Sequence, residues 1–301
     1  MIIRRDRWSG FCFGVQKAIE MAEEELAKTG MCYALGSLVH NPAEEQRLSK
    51  LGLKTITHAE LSLLNPAKVL FRAHGEPPST YTLLQNNSIK LLDGTCPIVL
   101  RLQKKVAQHW ELMKKVDGQI AIFGKPGHAE TIGLNAQVDY KAIIITELRD
   151  TALLDFEKPL TLFSQTTMSE EKYNQLIETI RDNYRANGKA DTFFTPVYSI
   201  CKQVSGRLPK LAQFAKEVDI LLFVSGKNSS NGKVLYEHAL KNNSRSYQIE
   251  HAKELKADWF TACKTIGKSG ATSTPSWQLE EVENHLIQMF GLAKPSLDNT
   301  F

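Results

Sequence analysis

Short β-branched or apolar runs alternate along this chain with longer amphipathic stretches. The runs Met31 to Leu35, Val69 to Phe71, Gln119 to Phe123, Ala142 to Ile145, Leu160 to Phe163 and Ile220 to Val224 predict buried strands. Val15 to Lys28, Val99 to Lys115, Glu170 to Asn183, Gly206 to Lys216, Val234 to Lys241 and Trp277 to Phe290 repeat apolar positions at helical spacing and predict helices. Pro209 falls inside the fourth of these and either starts that helix or kinks it. The alternation predicts an α/β fold with mostly parallel sheets, in which ligands are held by loops beyond the carboxyl ends of the strands. Asn183 to Asp191 is polar enough to mark a boundary, and Lys294 to Phe301 carries no periodic pattern.

Composition narrows the class. With 301 residues, 42% of them apolar, the chain can bury a substantial core, which excludes a disordered or fibrous protein. A net charge of +4 with no localised basic patch in the sequence argues against a nucleic-acid or membrane surface. No run approaches the roughly 20 apolar residues of a spanning helix, so a soluble, cytoplasmic protein is expected. Five scattered cysteines are an odd number and no disulfide scaffold, which leaves thiols, metal ligands or core filler.

The surroundings of the cysteines separate them. Cys12, Cys96 and Cys201 each stand just ahead of a predicted helix, in FCFGV, TCPIV and ICKQV. There the helix dipole and unpaired N–H groups favour the thiolate, the form that binds metal. Their spacing, about one α/β unit each, predicts three lobes over 1–96, 97–196 and 197–285 with a C-terminal tail at 286–301. Three such thiolates from three lobes would bind three irons of a four-iron four-sulfur cluster and leave the fourth open to substrate. Taken singly, each reads more readily as a small buried hydrophobe, and it is the three matching contexts that favour the ligand reading; Cys32 and Cys263 are read as structural.

Histidines recur too, in VHNP (His40), AHGEP (His74) and GHAE (His128), each in a turn after a predicted strand. Imidazoles there can donate to phosphate oxygens, although a single one is more readily a turn cap or a satisfied local bond. Glu130, two residues past His128, is a general acid if burial raises its pKa. Hydroxyl-rich loops form a third recurrence: SQTTMSE from Ser164, SGKNSSN from Ser225 and GATSTP from Gly270. One Ser or Thr per loop is ordinary capping, but three or four polar residues in a row make an anion cradle. Neither a Walker pattern nor GxGxxG is present, so a diphosphate other than a nucleotide fits best.

Together FCFGVQKAIE, GSLVHNPAEEQRL, AHGEPP, DGTCP, GHAETIG, SQTTMS, SGKNSSN and GATSTPSW resemble the ordered motif set of the 4-hydroxy-3-methylbut-2-enyl diphosphate reductase family, from about residue 10 to about residue 285. The resemblance implies a trefoil of three α/β lobes around a central iron–sulfur cluster bound by Cys12, Cys96 and Cys201. It implies that His40, His74, His128, Ser229, Ser230, Asn231 and Ser273 bind the substrate diphosphate. Glu130 would deliver a proton, assisted by Thr166 or Thr167. It further implies reductive loss of the substrate hydroxyl, giving isopentenyl and dimethylallyl diphosphate, with a ferredoxin or flavodoxin as electron donor. Departures are few: Ala129 replaces a usual Pro, Phe13 a usual small residue, and GATSTP has an extra hydroxyl that makes Thr272 a rival to Ser273. The competing readings are a trefoil enzyme resembling quinolinate synthase, for which the loops lack Arg pairs, and a non-catalytic iron–sulfur sensor, which needs no buried acid.

Overall fold

The computed structural model describes residues 1–292 except His40, Asn65, Pro66 and Asn228. Twelve strands occur among the described residues: β1 (Ile2–Arg5), β2 (Cys32–Leu35), β3 (Leu53–Ile56), β4 (Lys68–Phe71), β5 (Lys90–Asp93), β6 (Gln119–Phe123), β7 (Ile143–Ile145), β8 (Leu160–Ser164), β9 (Phe194–Pro196), β10 (Ile220–Val224), β11 (Ser246–Ile249) and β12 (Thr265–Gly270). They pair into three four-stranded sheets, ordered β3-β2-β4-β5, β7-β6-β8-β9 and β11-β10-β12-β1. Every pairing is parallel, so the α/β class read from the sequence holds. No helix among the described residues is long and apolar enough to cross a membrane.

The first two sheets share one order, second-first-third-fourth in chain sense. The third repeats it when β1, the N-terminal strand, is counted as its fourth member. Residues 2–5 therefore join the sheet expected over 197–285, not a lobe beginning at residue 1. Hydrophobic burial selects this pairing: Ile3 lies opposite Ile266 and shares a core with Ile220, Leu222 and Leu279.

Two other expected boundaries also shift. The helix Ser276–Phe290 runs through the start of the tail proposed at 286, because Leu286 is fully buried, and it ends at Gly291 in the left-handed conformation. Beyond Leu292 that tail lies outside the described residues. Asn183 to Asp191 is no boundary, since the helix Glu170–Ala186 continues into it and the chain then supplies β9 to the same sheet.

The chain divides into two compact units, one of Met1–Gln16, Ser37–Gly52 and Gly206–Phe301, the other of Lys17–Gly36 and Leu53–Ser205. The first unit holds the sheet β11-β10-β12-β1 and the second holds the other two. Within them, helices cover the sheets. Helix Pro97–Lys115 buries Leu102 and Val106 against Ile120, Ile122 and Phe163, each such side chain contributing about 1.5–3 kcal/mol. In helix Arg207–Lys216, Leu211, Phe214 and Ala215 pack on Leu221 and Phe223, and Pro209 stands harmlessly in its first turn. Helix Phe13–Thr29 buries Ala18 and ties Glu25 to Lys68 of β4 at 2.6 Å.

Candidate active site

The residues singled out in the sequence follow a rule that the topology makes visible. After the first strand of each sheet come His40 (following β2), His128 and Glu130 (β6), and Ser229 to Asn231 (β10). The third strands are followed by His74 (β4), Thr166 and Thr167 (β8), and Thr272 and Ser273 (β12). Cys96 follows β5, Cys201 follows β9 and Cys12 follows β1, the fourth strand in each case. The second strands, β3, β7 and β11, carry none. All these positions are at carboxyl ends, where loops of parallel sheets hold ligands. His40 itself lies outside the described residues.

Each of the three cysteines opens a helix. The Cys12 carbonyl accepts from Gln16 N–H (2.9 Å), that of Cys96 from Leu100 N–H (3.0 Å) and that of Cys201 from Ser205 N–H (3.0 Å). Cys96 and Cys201 are held alike, donating their N–H groups to Ala73 and Thr166, each two residues past a third strand (3.0 and 2.9 Å). Gly94 permits the first arrangement, for a Cβ there would stand 2.4 Å from the Phe71 carbonyl oxygen. The Cys12 loop is fixed differently. Buried Asp6 accepts from Trp8 N–H (2.9 Å) and Ser269 Oγ (2.7 Å), while buried Arg207 donates to the carbonyls of Trp8 and Gly10, the latter at 2.6 Å.

The three are partly exposed, whereas Cys32 is buried. Burial pushes the Cys32 thiol up to about 11 and also raises that of Cys263, so both resist forming thiolates. Among the described residues no three His, Cys, Asp or Glu side chains gather closely enough for a single metal ion. A four-iron cluster makes a different demand, one thiolate at each of several corners.

Glu130 is almost wholly buried, at 1% exposure, and stands in the first turn of helix Ala129–Asn135, which His128 caps by accepting from Glu130 N–H at 3.2 Å. With Nδ1 an acceptor, the neutral His128 ring keeps its proton on Nε2 and can donate it to an anion. The capping role weighed for the histidines thus holds for His128. The His74 ring meets it edge to face at 5.2 Å between centroids. Glu130 accepts from Thr166 N–H (2.6 Å) and Oγ1 (2.9 Å), and burial outweighs these bonds to push the carboxyl up to about 7. Because the Thr166 carbonyl also accepts from Cys201, one residue links the acid to a cysteine loop. Thr167 is exposed, and its hydroxyl accepts from Gln165 Nε2 at 2.7 Å. Of the two threonines, Thr166 contacts Glu130.

The hydroxyl loops of the other unit are equally constrained. Ser229 caps helix Ser230–Asn242 by accepting from Gly232 N–H (3.0 Å), and Asn231 Nδ2 donates to Thr272 Oγ1 (2.5 Å). Asn231 and Thr272 are thereby brought together, and Ser273 is placed through its carbonyl, which accepts from Asn41 Nδ2 at 3.0 Å. Asn41 was not among the expected site residues. It is buried, caps helix Pro42–Lys50 and also donates to Gln278 Oε1 (2.9 Å), tying the segment after His40 to the Ser273 loop. Glu44 adds to this tie, accepting from Trp277 Nε1 (2.5 Å) and two nitrogens of Arg47 (2.6 and 2.8 Å).

Two further positioning residues escaped the sequence reading. Gln165, buried, accepts from Thr131 Oγ1 and Lys125 N–H (both 3.1 Å) and braces the loops after β6 and β8. Arg207 had a readable signal: it shares helical spacing with Leu211, Phe214 and Ala215, which puts a cation on the apolar face. No basic patch is visible along the chain as a whole, yet folding gathers Arg4, Arg5, Arg7 and Lys210 around one cavity.

Matched thiols, a buried carboxylic acid, paired imidazoles and hydroxyl loops at the carboxyl ends of parallel strands define an α/β enzyme. Comparison with known proteins narrows the class: the model of the LytB protein family matches residues 3–287, and the chain belongs to that family. A curated 4-hydroxy-3-methylbut-2-enyl diphosphate reductase of Phocaeicola vulgatus is 46% identical over 286 residues, spanning 95% of this chain and 98% of the relative. One of Bacteroides fragilis is 47% identical over 277 residues, spanning 92% and 94%. The solved structure of (E)-4-hydroxy-3-methyl-but-2-enyl diphosphate reductase, described as the terminal enzyme of the non-mevalonate pathway, superposes with a TM-score of 0.77 at 30% identity, over 96% of this chain and all of that one. The Plasmodium falciparum reductase, at 22% identity and a TM-score of 0.79 over 99% of this chain and 90% of that one, shares the fold. These findings favour the reductase over the quinolinate synthase-like and sensor readings.

Proposed function

We infer that this chain is an oxidoreductase that reduces 4-hydroxy-3-methylbut-2-enyl diphosphate to isopentenyl and dimethylallyl diphosphate, a step of isoprenoid precursor synthesis. The balance is simple: the C–O bond to the hydroxyl breaks, a C–H bond forms, and two electrons and two protons are consumed as water departs. The carrying observation is Glu130, a fully enclosed carboxyl raised to about 7 and gripped by Thr166. Such a group still carries a proton on a large share of molecules near neutral pH, unlike an ordinary carboxylate, and is shielded from bulk water, as a proton donor must be.

The donor set suits an iron–sulfur cluster. Cys12, Cys96 and Cys201 stand at helix starts after the fourth strand of each sheet and are partly exposed, whereas burial pushes the thiols of Cys32 and Cys263 up, away from the ligand form. When bound, a four-iron four-sulfur cluster supplies electrons one at a time and, with three protein thiolates, keeps one iron for substrate. The chain's own residues do the remainder. His40, His74 and His128 donate to the diphosphate with Ser229, Ser230, Asn231 and Ser273 or its neighbour Thr272. Held there, the substrate presents its hydroxyl-bearing carbon in one orientation. Glu130 delivers a proton, and Thr166, donating to it through N–H and hydroxyl, keeps the carboxyl aimed. A ferredoxin or flavodoxin supplies the electrons. Anaerobic purification followed by an absorption spectrum and a substrate-consumption assay with reduced methyl viologen tests this reading. A colourless, iron-free protein or an inert clustered one overturns it.

A further inference from the structure

The loop that presents Cys12 also builds a surface. Between β1 and the cysteine, Arg4, Arg5, Arg7 and Trp8 line a cavity of about 280 Å³ together with Lys210 and Glu217. Counting Asp6, which also lines it, four cations meet two carboxylates. Both carboxylates are engaged: Glu217 with Arg4 at 3.0 Å, and buried Asp6 with Trp8 N–H and Ser269. What faces outward is Trp8, 43% exposed, with the Lys210 ammonium 3.1 Å and the Arg7 guanidinium 5.1 Å from its ring centroid. This aromatic and cationic face is rigidly joined to the cysteine. Arg207 donates to the Trp8 and Gly10 carbonyls, and Cys12 follows Trp8 by four residues.

Resting on the reductase reading above, we propose that this face docks a small acidic one-electron carrier protein, which reduces the enzyme through the Cys12 loop. Each turnover consumes two electrons, so two reduced carriers are each oxidised by one electron per product formed. Such encounters are small, brief and steered by charge, which a compact cationic patch around one aromatic anchor provides. Cations beside an aromatic ring also suit single-stranded nucleic acid, but that needs a row of stacking rings along a groove, and this face offers one exposed indole.

The experiment uses the anaerobically loaded enzyme, the double variant Arg7→Glu/Lys210→Glu and the milder Arg7→Gln/Lys210→Gln. An acidic two-iron ferredoxin serves as the carrier and reduced methyl viologen as a small donor that needs no docking face. Calorimetric binding of oxidised ferredoxin and turnover with each donor are measured between 20 and 300 mM salt. Steering of this kind typically raises association by about 10- to 1000-fold. Accordingly, charge reversal is expected to weaken ferredoxin binding and ferredoxin-driven kcat/KM at least tenfold at low salt and to flatten the salt dependence. The glutamine pair falls between, and the methyl viologen rate of all three stays within about twofold. Unchanged ferredoxin binding in the reversed variant overturns the proposal, as does a wild type that turns over with methyl viologen but takes no electrons from the carrier. Tighter binding of a 20-base single-stranded DNA than of ferredoxin assigns the face to nucleic acid and also overturns it. A wild type inert with methyl viologen refutes instead the reductase reading.

Discussion

Glu130→Gln separates the chemical role of this carboxyl from its structural one. The amide is nearly isosteric and can still accept from Thr166 N–H while its NH2 donates to the Thr166 hydroxyl, so the loop geometry is kept. What disappears is the acid. Loss of a positioned proton donor slows turnover by about 10²- to 10⁴-fold, with cluster content and diphosphate affinity retained. Stability supplies an independent measure. The carboxyl rises from 4.5 to about 7 in the fold because burial disfavours its charge. Folding is therefore favoured relative to the ionised form at low pH, and the penalty grows as pH climbs from about 4.5 through about 7. A shift of that size amounts to about 3 kcal/mol, most of it appearing between pH 5 and pH 8. Urea titrations at pH 5 and pH 8 should show wild type losing stability relative to the glutamine variant by roughly 2–3 kcal/mol. Near-full turnover in Glu130→Gln, or parallel pH dependence of the two proteins, would refute the reasoning.

Other outcomes follow from the same geometry. In wild type the donor must be protonated, so turnover should hold below about pH 7 and fall about tenfold per unit above it; a pH–rate profile checks this. Thr166→Val removes a hydroxyl bond that lowers the Glu130 pKa, so the break in that profile should move upward, Thr166→Ser should restore it, and Thr167→Val should leave it in place. Iron and sulfide analysis should show loss of cluster in Cys12→Ser, Cys96→Ser and Cys201→Ser but retention in Cys32→Ser and Cys263→Ser; equal loss in all five would refute the ligand assignment. Asn41→Ala removes a helix cap and strands Gln278, costing about 2–3 kcal/mol in denaturant titrations and weakening diphosphate binding.

How much of this was legible in the sequence depends on where each strand lies. β2, β4, β6, β8 and β10 occupy sheet centres, are largely buried and read as mainly apolar runs, with Thr161 the one polar residue inside them. The unread strands β1, β3, β5, β9 and β11 are edges of three or four residues, and the outer one of the third sheet even comes from the opposite end of the chain. β12 is central yet unread, because TIGKSG breaks the pattern with two glycines and Lys268. That lysine is buried through an ion pair with Glu283, and burial lowers it to about 8. Site residues were legible where chemistry is local, as in HAE, SQTT and the cysteine caps. Asn41 and Gln278 do their work across 237 positions, a partnership that no local pattern encodes.

That contrast bears on how the cysteine set is completed. The Cys96 and Cys201 loops hang on the carbonyls of Ala73 and Thr166, which precede them in the chain and belong to their own unit. The Cys12 loop has no such near support. β1 pairs only with β12, Asp6 accepts from Ser269 at a separation of 263 residues, and Arg207 reaches Gly10 across 197. Contacts so distant close last, because loop closure must be completed before they contribute. During synthesis the first candidate thiolate emerges earliest, yet it takes its native place only once β12 has been made. Matched topology thus gives the three cysteines equivalent positions at the ends of fourth strands, while chain order makes Cys12 the one whose placement depends on the whole chain.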